Sequence, residues 1–360
     1  MKAAVLREVN QPLSIEDVST ADPGPREVLV RTAAAGVCHS DLHFQNGSYP
    51  YPLPSVLGHE SAGVVERVGA DVHYVKPGDH VITCLSAFCG HCEYCLTGRM
   101  VLCNEPELSR RPNETPRLSA GGETINQFLN LSSFAETMLV HEHAIAKIRE
   151  DMPLDRAALI GCGVTTGVGA VIHTAAIEPG STVAVIGCGG VGLSCVNGAE
   201  IAGASRIIAI DTVSSKLELA RKFGATDTVN AAEVDVVEAI REMTDGGVHY
   251  SFEAIGLKAT TEQAFKIIKN GGTATVIGMI PVGTMVEIHG PEFLREKTLQ
   301  GSSMGSNRFR VDMPRFVDFY LDGRLHLDDM ISGRIGLGDV NDALQALETG
   351  EVARQVIMFD

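Results

Sequence analysis

The spacing of apolar residues along the chain changes at about residue 160. Over roughly the first 85 residues, short apolar runs such as 28–31 and 63–69 lie between turns rich in Gly and Pro. This pattern predicts short strands in a β-rich domain of barrel type. Beyond residue 160, continuous apolar runs alternate with stretches of helical period, which predicts an α/β fold with a doubly wound parallel sheet.

The elements of the parallel sheet can be placed individually. Six strands are expected, and five of them can be placed at the apolar runs 182–186, 207–211, 250–254, 273–278 and 299–301. The run 299–301 is expected to be the last strand of the sheet. Its helices are expected from the glycine-rich turn to residue 203, at 215–223 and at 258–269. After the sheet, helices at 314–321 and 339–348 and a strand at 355–359 are expected to rejoin the first domain.

One segment has no clear period. Residues 104–133 are polar and include Arg110 and Arg111, and they predict a long loop with a functional or interface role. A strand pattern returns at 133–140.

Length and charge narrow the classes of function. A chain of 360 residues suits two domains, and a formal charge of −16 argues against nucleic acid or an anionic membrane as partner. No apolar run approaches about 20 residues, so no spanning helix is expected. The first eight residues lack the pattern of a secretory signal, and a cytoplasmic location is expected. Nine cysteines in such a chain favour thiolates and metal over disulfides.

The most specific pattern is a cysteine cluster. Cys89, Cys92 and Cys95 are spaced three apart, and Cys103 follows eight residues later. This spacing predicts a tetrahedral Cys₄ zinc site that leaves no position for a substrate and is therefore structural. A disulfide pair or free thiols are the alternatives, and His91, between two ligands, is expected to be a bystander.

A second set is dispersed along the chain. Cys38, His59 and Cys162 could form a three-ligand zinc site with one position left for water or substrate. Taken alone, residues so spaced are usually ordinary core or surface residues, and the other motifs of the chain favour the metal site.

A dinucleotide fingerprint follows the first predicted strand of the parallel sheet. Gly187, Gly189 and Gly192 form G-x-G-x-x-G between a strand and a helix, and Asp211 ends the next strand. The glycines permit a tight turn and the close approach of a pyrophosphate to the helix N-terminus. A purely structural glycine-rich turn is the alternative.

These motifs together resemble the zinc-dependent alcohol dehydrogenases of the medium-chain dehydrogenase/reductase family, including its class I and class III members. The resemblance spans nearly the whole chain and rests on Gly58-His59-Glu60, the Cys89–Cys103 lobe, Gly161-Cys162-Gly163 and the glycine-rich turn. It implies a GroES-like catalytic domain at 1–163 and 304–360, a Rossmann NAD-binding domain at 164–303, and an active site between the two. Two cysteines and one histidine are the catalytic zinc ligands known from alcohol dehydrogenases themselves.

The resemblance also assigns residue roles. It implies two Zn²⁺ per chain, with Asp41 orienting His59, Glu60 close to the metal, and Ser40 and His43 as a proton relay. The implied NAD contacts are His39, Thr166, Gly187, Gly189, Gly190, Val191, Gly192, Asp211, Lys216, Ile277, Met279, Met304 and Arg354. The implied substrate pocket includes Leu85 and Phe134. His39 is a departure, because many relatives carry there an arginine that grips the pyrophosphate.

The expected reaction is NAD-linked interconversion of primary aliphatic or benzylic alcohols and aldehydes. Zinc would act as a Lewis acid on the alcohol, and a hydride would pass to the nicotinamide. The alternative is a formaldehyde dehydrogenase that acts on a thiol adduct, with Arg110 and Arg111 binding an anionic carrier. A metal-free quinone reductase and a non-enzymatic relative are two further alternatives, although all seven metal ligands are present. A homodimer is expected by analogy with family members that have a loop of similar length between Cys103 and Phe134.

Overall fold

The structure is a computed structural model and describes residues 1–111, 113–349 and 354–360. Its internal contacts divide the chain into two compact units. Unit 1 comprises Met1–Cys162, Arg308–Gly323 and Met330–Asp360, and unit 2 comprises Gly163–Asn307 and Arg324–Asp329. Gly163 and residues 304–307 and 324–329, which the sequence places in the first domain, therefore belong to unit 2.

The regular elements of the described residues are numbered in chain order. The strands are β1 (Lys2–Leu6), β2 (Ser14–Asp17), β3 (Ser19–Thr20), β4 (Glu27–Val37), β5 (Ser55–Val56), β6 (Ser61–Val68), β7 (His80–Thr83), β8 (Leu118–Ala120), β9 (Glu123–Gln127), β10 (Thr137–His141), β11 (Ile145–Lys147), β12 (Thr182–Ile186), β13 (Arg206–Asp211), β14 (Asp227–Asn230), β15 (Val248–Glu253), β16 (Ile268–Val276), β17 (Thr298–Gly301), β18 (Ile331–Ile335) and β19 (Arg354–Met358). The α-helices are α1 (His39–Gln45), α2 (Glu93–Leu96), α3 (Leu154–Leu159), α4 (Thr165–Gly169), α5 (Gly190–Ile201), α6 (Ser214–Lys222), α7 (Val236–Met243), α8 (Lys258–Lys266), α9 (Phe309–Leu321) and α10 (Val340–Thr349).

Unit 1 is built on β4, a strand of eleven residues that is almost entirely buried. Its first half pairs with β10, its second half pairs with β19, and β6 runs antiparallel along most of it. The pairing of Gln355 with Val37 confirms that the end of the chain rejoins the first domain. Apolar residues of β1, β4 and α10 pack into one core with Leu57 and Phe128.

Unit 2 confirms the predicted parallel sheet. Six parallel strands follow the order β14-β13-β12-β15-β16-β17, so the strand order reverses between β12 and β15. Alternating apolar residues such as Ile208, Ile210 and Phe265 form its core. The sequence did not place β14 or α7 individually, because β14 reads Asp-Thr-Val-Asn and carries almost no apolar signal.

The expectation of an irregular loop at 104–133 is wrong. The segment contains β8 and β9, an antiparallel hairpin that pairs with β3 and β5. The sequence did not reveal these strands because they are short and rich in polar residues. They also pair with β3 and β5, which lie far away in the chain.

Arg110 and Arg117 of this segment form a largely buried ionic cluster with Glu27. Arg110 binds both carboxylate oxygens of Glu27 and also donates to the carbonyls of Asp22 and Thr115. Arg117 Nε lies 2.7 Å from Glu27 Oε1, and both side chains are less than 10% exposed. Burial raises the pKa of Glu27, but the two arginines outweigh it and lower the pKa to about 2.

A continuous helical run, Leu154–Thr174, is long and apolar enough to cross a membrane by length and composition. The expectation that no run of this length exists is therefore wrong, because glycines, alanines and threonines extend the apolar stretch. Since 83% of its most apolar window is buried within the structure, it is weak evidence for a membrane.

Replacing Glu27 by Gln should lower the thermal midpoint. A buried arginine left without its counter-charge typically costs about 3 kcal/mol or more. The contribution of Glu27 is present above the ordinary glutamate pKa of about 4.3 and is lost as the pH falls toward 2. The difference in Tm between wild type and Glu27→Gln should be constant from pH 8 to 5 and should narrow below about pH 4.

A matched control for this prediction is Glu16→Gln, because Glu16 pairs with Arg7 near the surface. It should change stability by no more than about 1 kcal/mol. A Glu27→Gln protein as stable as the control at pH 7 would refute a stabilising role for the buried cluster.

Candidate metal centres and dinucleotide site

Cys38, His59 and Cys162 converge in unit 1. One potential ligand atom from each lies within 4.8 Å of the others, and each side chain is at most 6% exposed. Three ligands separated by 21 and 103 residues in sequence are thus gathered in one small buried volume.

Asp41 determines how two of these ligands are presented. Cys38 precedes α1, and its backbone N–H donates to Asp41 Oδ2 at 3.1 Å. The other carboxylate oxygen, Oδ1, accepts from the Gly58 N–H at 3.1 Å and lies 3.0 Å from His59 Nδ1. A carboxylate only accepts hydrogen bonds, so Nδ1 carries the proton and Nε2 carries the lone pair.

The turn before His59 needs a glycine. Gly58 has φ of +90°, and a Cβ there would lie 2.5 Å from Phe134 Cδ1 and from the Phe134 backbone nitrogen. Phe134 itself has no exposed surface and packs in the core of unit 1. Its predicted place on the wall of the substrate pocket is therefore wrong for this structure, and its contact supports the turn that carries His59.

Cys162 lies in a π-helical turn, Ile160–Val164, that follows α3. Turns of this kind are rare and occur often at functional sites. The Cys162 sulfur lies within 4.8 Å of the Cys38 sulfur. The Cys162 thiol holds the pKa of Cys38 well below its usual range, against the effect of burial. The pKa of Cys162 is raised by the same contact and by burial. One thiol of the pair is thus readily ionised.

The donor set fits zinc. His59 Nε2 is buried and, among the described residues, has no hydrogen-bond partner. Burial alone would lower the pKa of His59, but Asp41 and Cys38 raise it well above its usual value. The surroundings therefore favour positive charge at this point, which a divalent cation supplies, and two thiolates with one imidazole suit zinc.

Glu60 and Arg354 form an ion pair beside these ligands. Both are almost fully buried, with Arg354 Nε 3.4 Å from Glu60 Oε1 and Arg354 Nη1 donating to the carbonyl of Val37 at 3.2 Å. The sequence did not indicate this pair. The assignment of Arg354 to the pyrophosphate stays a prediction.

The predicted proton relay lies on one short helix. Ser40 Oγ is 3.8 Å from Cys38 Sγ, and His43 follows on α1 one turn later. Burial lowers the pKa of His43, partly opposed by the charge of Cys38, so its imidazole is neutral at neutral pH. His39, on the first turn of α1, is exposed.

The four cysteines of the 89–103 segment form a second metal-ligand set. Their sulfur atoms all lie within 4.8 Å of one another, with Cys89–Cys95 at 3.8 Å and Cys92–Cys103 at 3.9 Å. Zinc–sulfur bonds of about 2.3 Å in a tetrahedron place sulfurs about 3.8 Å apart, whereas a disulfide needs about 2.05 Å. Burial opposes ionisation of Cys89, but the N–H groups of His91 and Cys92 lower its pKa to about 7. His91 turns outward to Glu107, as a bystander would.

The glycine-rich turn of unit 2 leaves room for a ligand. Gly189 has an ordinary backbone conformation, and a Cβ built there would meet no atom within 4 Å. The open space lies at the N-terminus of α5, where backbone N–H groups and the helix dipole favour a phosphate. This is the cradle that a dinucleotide requires.

Asp211 is held in a fixed orientation at the end of β13. Its Oδ2 accepts from the Cys188 N–H at 2.8 Å and its Oδ1 from the Val213 N–H at 3.0 Å. Each oxygen keeps a second lone pair for a ribose hydroxyl. Lys216 is half-buried in the first turn of α6.

The other predicted dinucleotide contacts all lie in unit 2. Thr166 Oγ1 is 3.3 Å from Met304 Sδ, so these two residues are adjacent. Gly190 and Val191 begin α5, and Ile277 and Met279 follow β16, all on the side where the strands end. Leu85 is half-buried in unit 1, and its place in a substrate pocket stays a prediction.

Comparison with known proteins agrees with this chemistry. The model of the alcohol dehydrogenase GroES-like domain matches residues 24–150, and that of the zinc-binding dehydrogenase domain matches residues 190–321. The alcohol dehydrogenase class-3 of Oryza sativa subsp. japonica is 38% identical over 368 residues, covering 100% of this chain and 97% of the relative. The chain belongs to the zinc-dependent alcohol dehydrogenases of the medium-chain dehydrogenase/reductase family.

Solved structures extend the comparison for this alcohol dehydrogenase. A zinc-binding domain protein of the family from Burkholderia ambifaria has a TM-score of 0.95 at 38% identity, covering 100% of this chain and 98% of that chain. Benzyl alcohol dehydrogenase from Acinetobacter calcoaceticus has a TM-score of 0.94 at 33% identity, covering 100% and 99%. The enzyme acts on small alcohols and aldehydes, with zinc and NAD as the cofactors of its family.

Zinc content should separate the two metal sites. We expect two zinc ions per chain in the wild type. Cys162→Ser should retain one zinc and the fold but lose activity, whereas Cys95→Ser should lose the structural zinc and lower the Tm or solubility. Metal analysis by mass spectrometry, together with thermal unfolding, measures both effects.

The control is Cys195→Ser, since Cys195 is a buried free thiol outside both clusters. It should keep two zinc ions and its activity. Fully active wild-type protein with one zinc or none would refute the assignment.

Proposed function

We propose that Cys38, His59 and Cys162 hold the catalytic zinc and that Cys89, Cys92, Cys95 and Cys103 hold a structural one. The observation that carries the first assignment is the gathering of three ligand atoms within 4.8 Å around a buried, unpartnered His59 Nε2. When bound, zinc supplies a Lewis acid for the alcohol oxygen and NAD supplies the hydride acceptor.

The side chains around this site orient and deprotonate the substrate. Asp41 fixes the ring of His59 through Nδ1. Ser40, two residues after Cys38, takes the hydroxyl proton of the alcohol, and His43, neutral at pH 7, accepts it one helical turn further along α1. The buried pair of Glu60 and Arg354 adds no net charge beside the ligands.

The substrates we propose are medium-size primary alcohols and aldehydes, aliphatic or benzylic. The likeness to a benzyl alcohol dehydrogenase supports this choice, as does the apolar character of Leu85 and Met304. Cys162 also supports it, because polyol dehydrogenases of the family commonly have a carboxylate at that ligand position.

A second candidate is oxidation of a thiol adduct of formaldehyde. The similarity to proteins named alcohol dehydrogenase class-3 favours it. Against it, Arg110, one of the two arginines that would receive an anionic carrier, is engaged by Glu27 and by two carbonyl groups. We therefore keep the free alcohol as the proposed substrate.

A substrate panel decides between these candidates. Benzyl alcohol and hexanol should be oxidised with higher kcat/KM than sorbitol, as followed by NADH absorbance. Formaldehyde should be turned over no faster with glutathione than without it. A requirement for glutathione, or a preference for sorbitol, would contradict the proposal.

Asp211 is proposed to select NAD over NADP. Its fixed carboxylate accepts hydrogen bonds from the ribose hydroxyls and repels a 2′-phosphate, and no cation follows until Lys216. NAD should be preferred by at least ~100-fold in kcat/KM, about 2.7 kcal/mol.

Two variants test this selector. Asp211→Gly should lose most of the preference, and Asp211→Asn should lose part of it while keeping an accepting oxygen for a backbone N–H. Equal use of both cofactors by the wild type, or full preference in the Gly variant, would show that Asp211 is not the selector.

We also propose a homodimer formed through unit 2. Val282, Met285, Phe293 and Leu294 are large apolar side chains that are at least half exposed and lie close together in sequence. Such a concentration is typical of an interaction surface. Light scattering at micromolar protein should give the mass of two chains, and Leu294→Glu should shift it toward one. A tetramer, or a dimer unaffected by the substitution, would contradict this assembly.

A further inference from the structure

Glu253 is a buried carboxylate in unit 2 that neither metal set nor the dinucleotide fingerprint includes. It is the last residue of β15 and has no exposed surface. Its partner across the sheet is Ile186, the last residue of β12, after which the glycine-rich turn begins. In the part of the chain that the structure describes, it forms no ion pair.

One carboxylate oxygen of Glu253 binds the turn that follows the strand. Oε1 accepts from the N–H groups of Ile255 at 3.0 Å and Gly256 at 2.9 Å, and from Thr260 Oγ1 at 2.8 Å. Helix α8 begins just after this turn, and its N-cap residue, Leu257, provides no capping side chain. Glu253 therefore fixes the turn that precedes α8 and, through the Thr260 hydroxyl, the first turn of that helix.

The backbone of Glu253 holds a second segment. Its carbonyl accepts from the N–H groups of Ile277 at 2.8 Å and Gly278 at 3.0 Å. The two segments also touch each other, because a Cβ on Gly256 would lie 2.5 Å from the carbonyl oxygen of Met279. Glu253 thus connects the turn 254–257 with the segment 277–279.

The turn that Glu253 holds contacts the glycine-rich turn directly. A Cβ on Gly187 would lie 2.5 Å from Ile255 Cγ1, so the Ile255 side chain covers the start of that turn. Ile255 is itself 42% exposed, and it lies where β12 and β15 both end. In doubly wound sheets, ligands bind outside the carboxyl ends of the strands at the point where the strand order reverses, which here is between β12 and β15.

The second carboxylate oxygen of Glu253, Oε2, indicates that the stability of the fold alone does not explain a glutamate at this position. Glu253 Oε2 is buried and has no hydrogen-bond partner among the described residues. A buried unpaired acceptor carries a penalty, and a purely apolar side chain would avoid it. The carboxylate is instead retained where its other oxygen can order two backbone N–H groups beside the phosphate turn.

We propose that Glu253 is a positioning residue for the dinucleotide, which it serves by fixing Ile255 and Gly256 against the glycine-rich turn. The inference rests on the proposed use of NAD. Because the metal ligands all belong to unit 1, loss of Glu253 should weaken the dinucleotide without removing zinc.

The test is NADH binding, read from the nicotinamide emission. Glu253→Ala should raise the Kd for NADH and the KM for NAD by roughly tenfold or more, with kcat changed less than about threefold. Glu253→Gln, which keeps an accepting oxygen, should remain within about threefold of the wild type. Thr260→Val removes one of the three donors and should weaken binding by roughly threefold. Zinc content should stay at the wild-type value in all three variants.

Asp227→Ala is the matched control. Asp227 is bonded to Arg206 at 2.8 and 2.9 Å where β14 begins, away from the strand ends that meet the glycine-rich turn. The Asp227→Ala variant should have a lower Tm but an unchanged Kd for NADH. This result would separate a loss of dinucleotide positioning from a general loss of stability.

The outcomes are distinct. A wild type that fails to bind NADH would refute the proposed function itself. A wild type that binds NADH while Glu253→Ala binds equally well would overturn the role of Glu253 alone. If Glu253→Ala does not fold, Thr260→Val decides, and an unchanged Kd in that variant would likewise overturn the proposal.

Discussion

The carboxylate of Asp41 is the constraint on which the candidate active site depends. It is fully buried and accepts hydrogen bonds from three different groups, the N–H of Cys38, the N–H of Gly58 and Nδ1 of His59. A buried carboxylate is costly unless its lone pairs are used in this way. Here they are used to join the start of α1 to the turn that carries His59.

That single side chain fixes both the position and the tautomer of the ligands. Because the carboxylate can only accept, the proton of His59 stays on Nδ1, and the lone pair of Nε2 faces Cys38 and Cys162. The rest of unit 1 makes this arrangement possible. Strand β4 ends immediately before Cys38, and Gly58 lets the chain turn against Phe134. Cys162 lies in a π-helical turn. Unit 2 uses the same device at Asp211, whose oxygens are also oriented by backbone N–H groups.

The features that the sequence predicted correctly are those with a local pattern. The doubly wound sheet follows from apolar runs, and the Cys₄ set follows from short spacings. The partners of the buried glutamates could not be predicted. Glu27 and Glu253 look in the sequence like any surface glutamate, and the resemblance placed Glu60 near the metal without indicating its ion pair with Arg354. Their burial depends on partners between 7 and about 290 residues away. The same limit explains why the hairpin at 118–127 looked like a loop and why Phe134 looked like a pocket residue.

The most direct test of this account is the affinity of the catalytic zinc in Asp41→Asn. The Asn amide offers only one accepting oxygen, so its NH₂ group must face at least one of the three N–H donors. Competition with a chelator should show the catalytic zinc bound about 10- to 100-fold more weakly than in the wild type. The Cys₄ zinc should be retained as an internal reference. Unchanged zinc affinity together with unchanged activity would contradict the central role of Asp41.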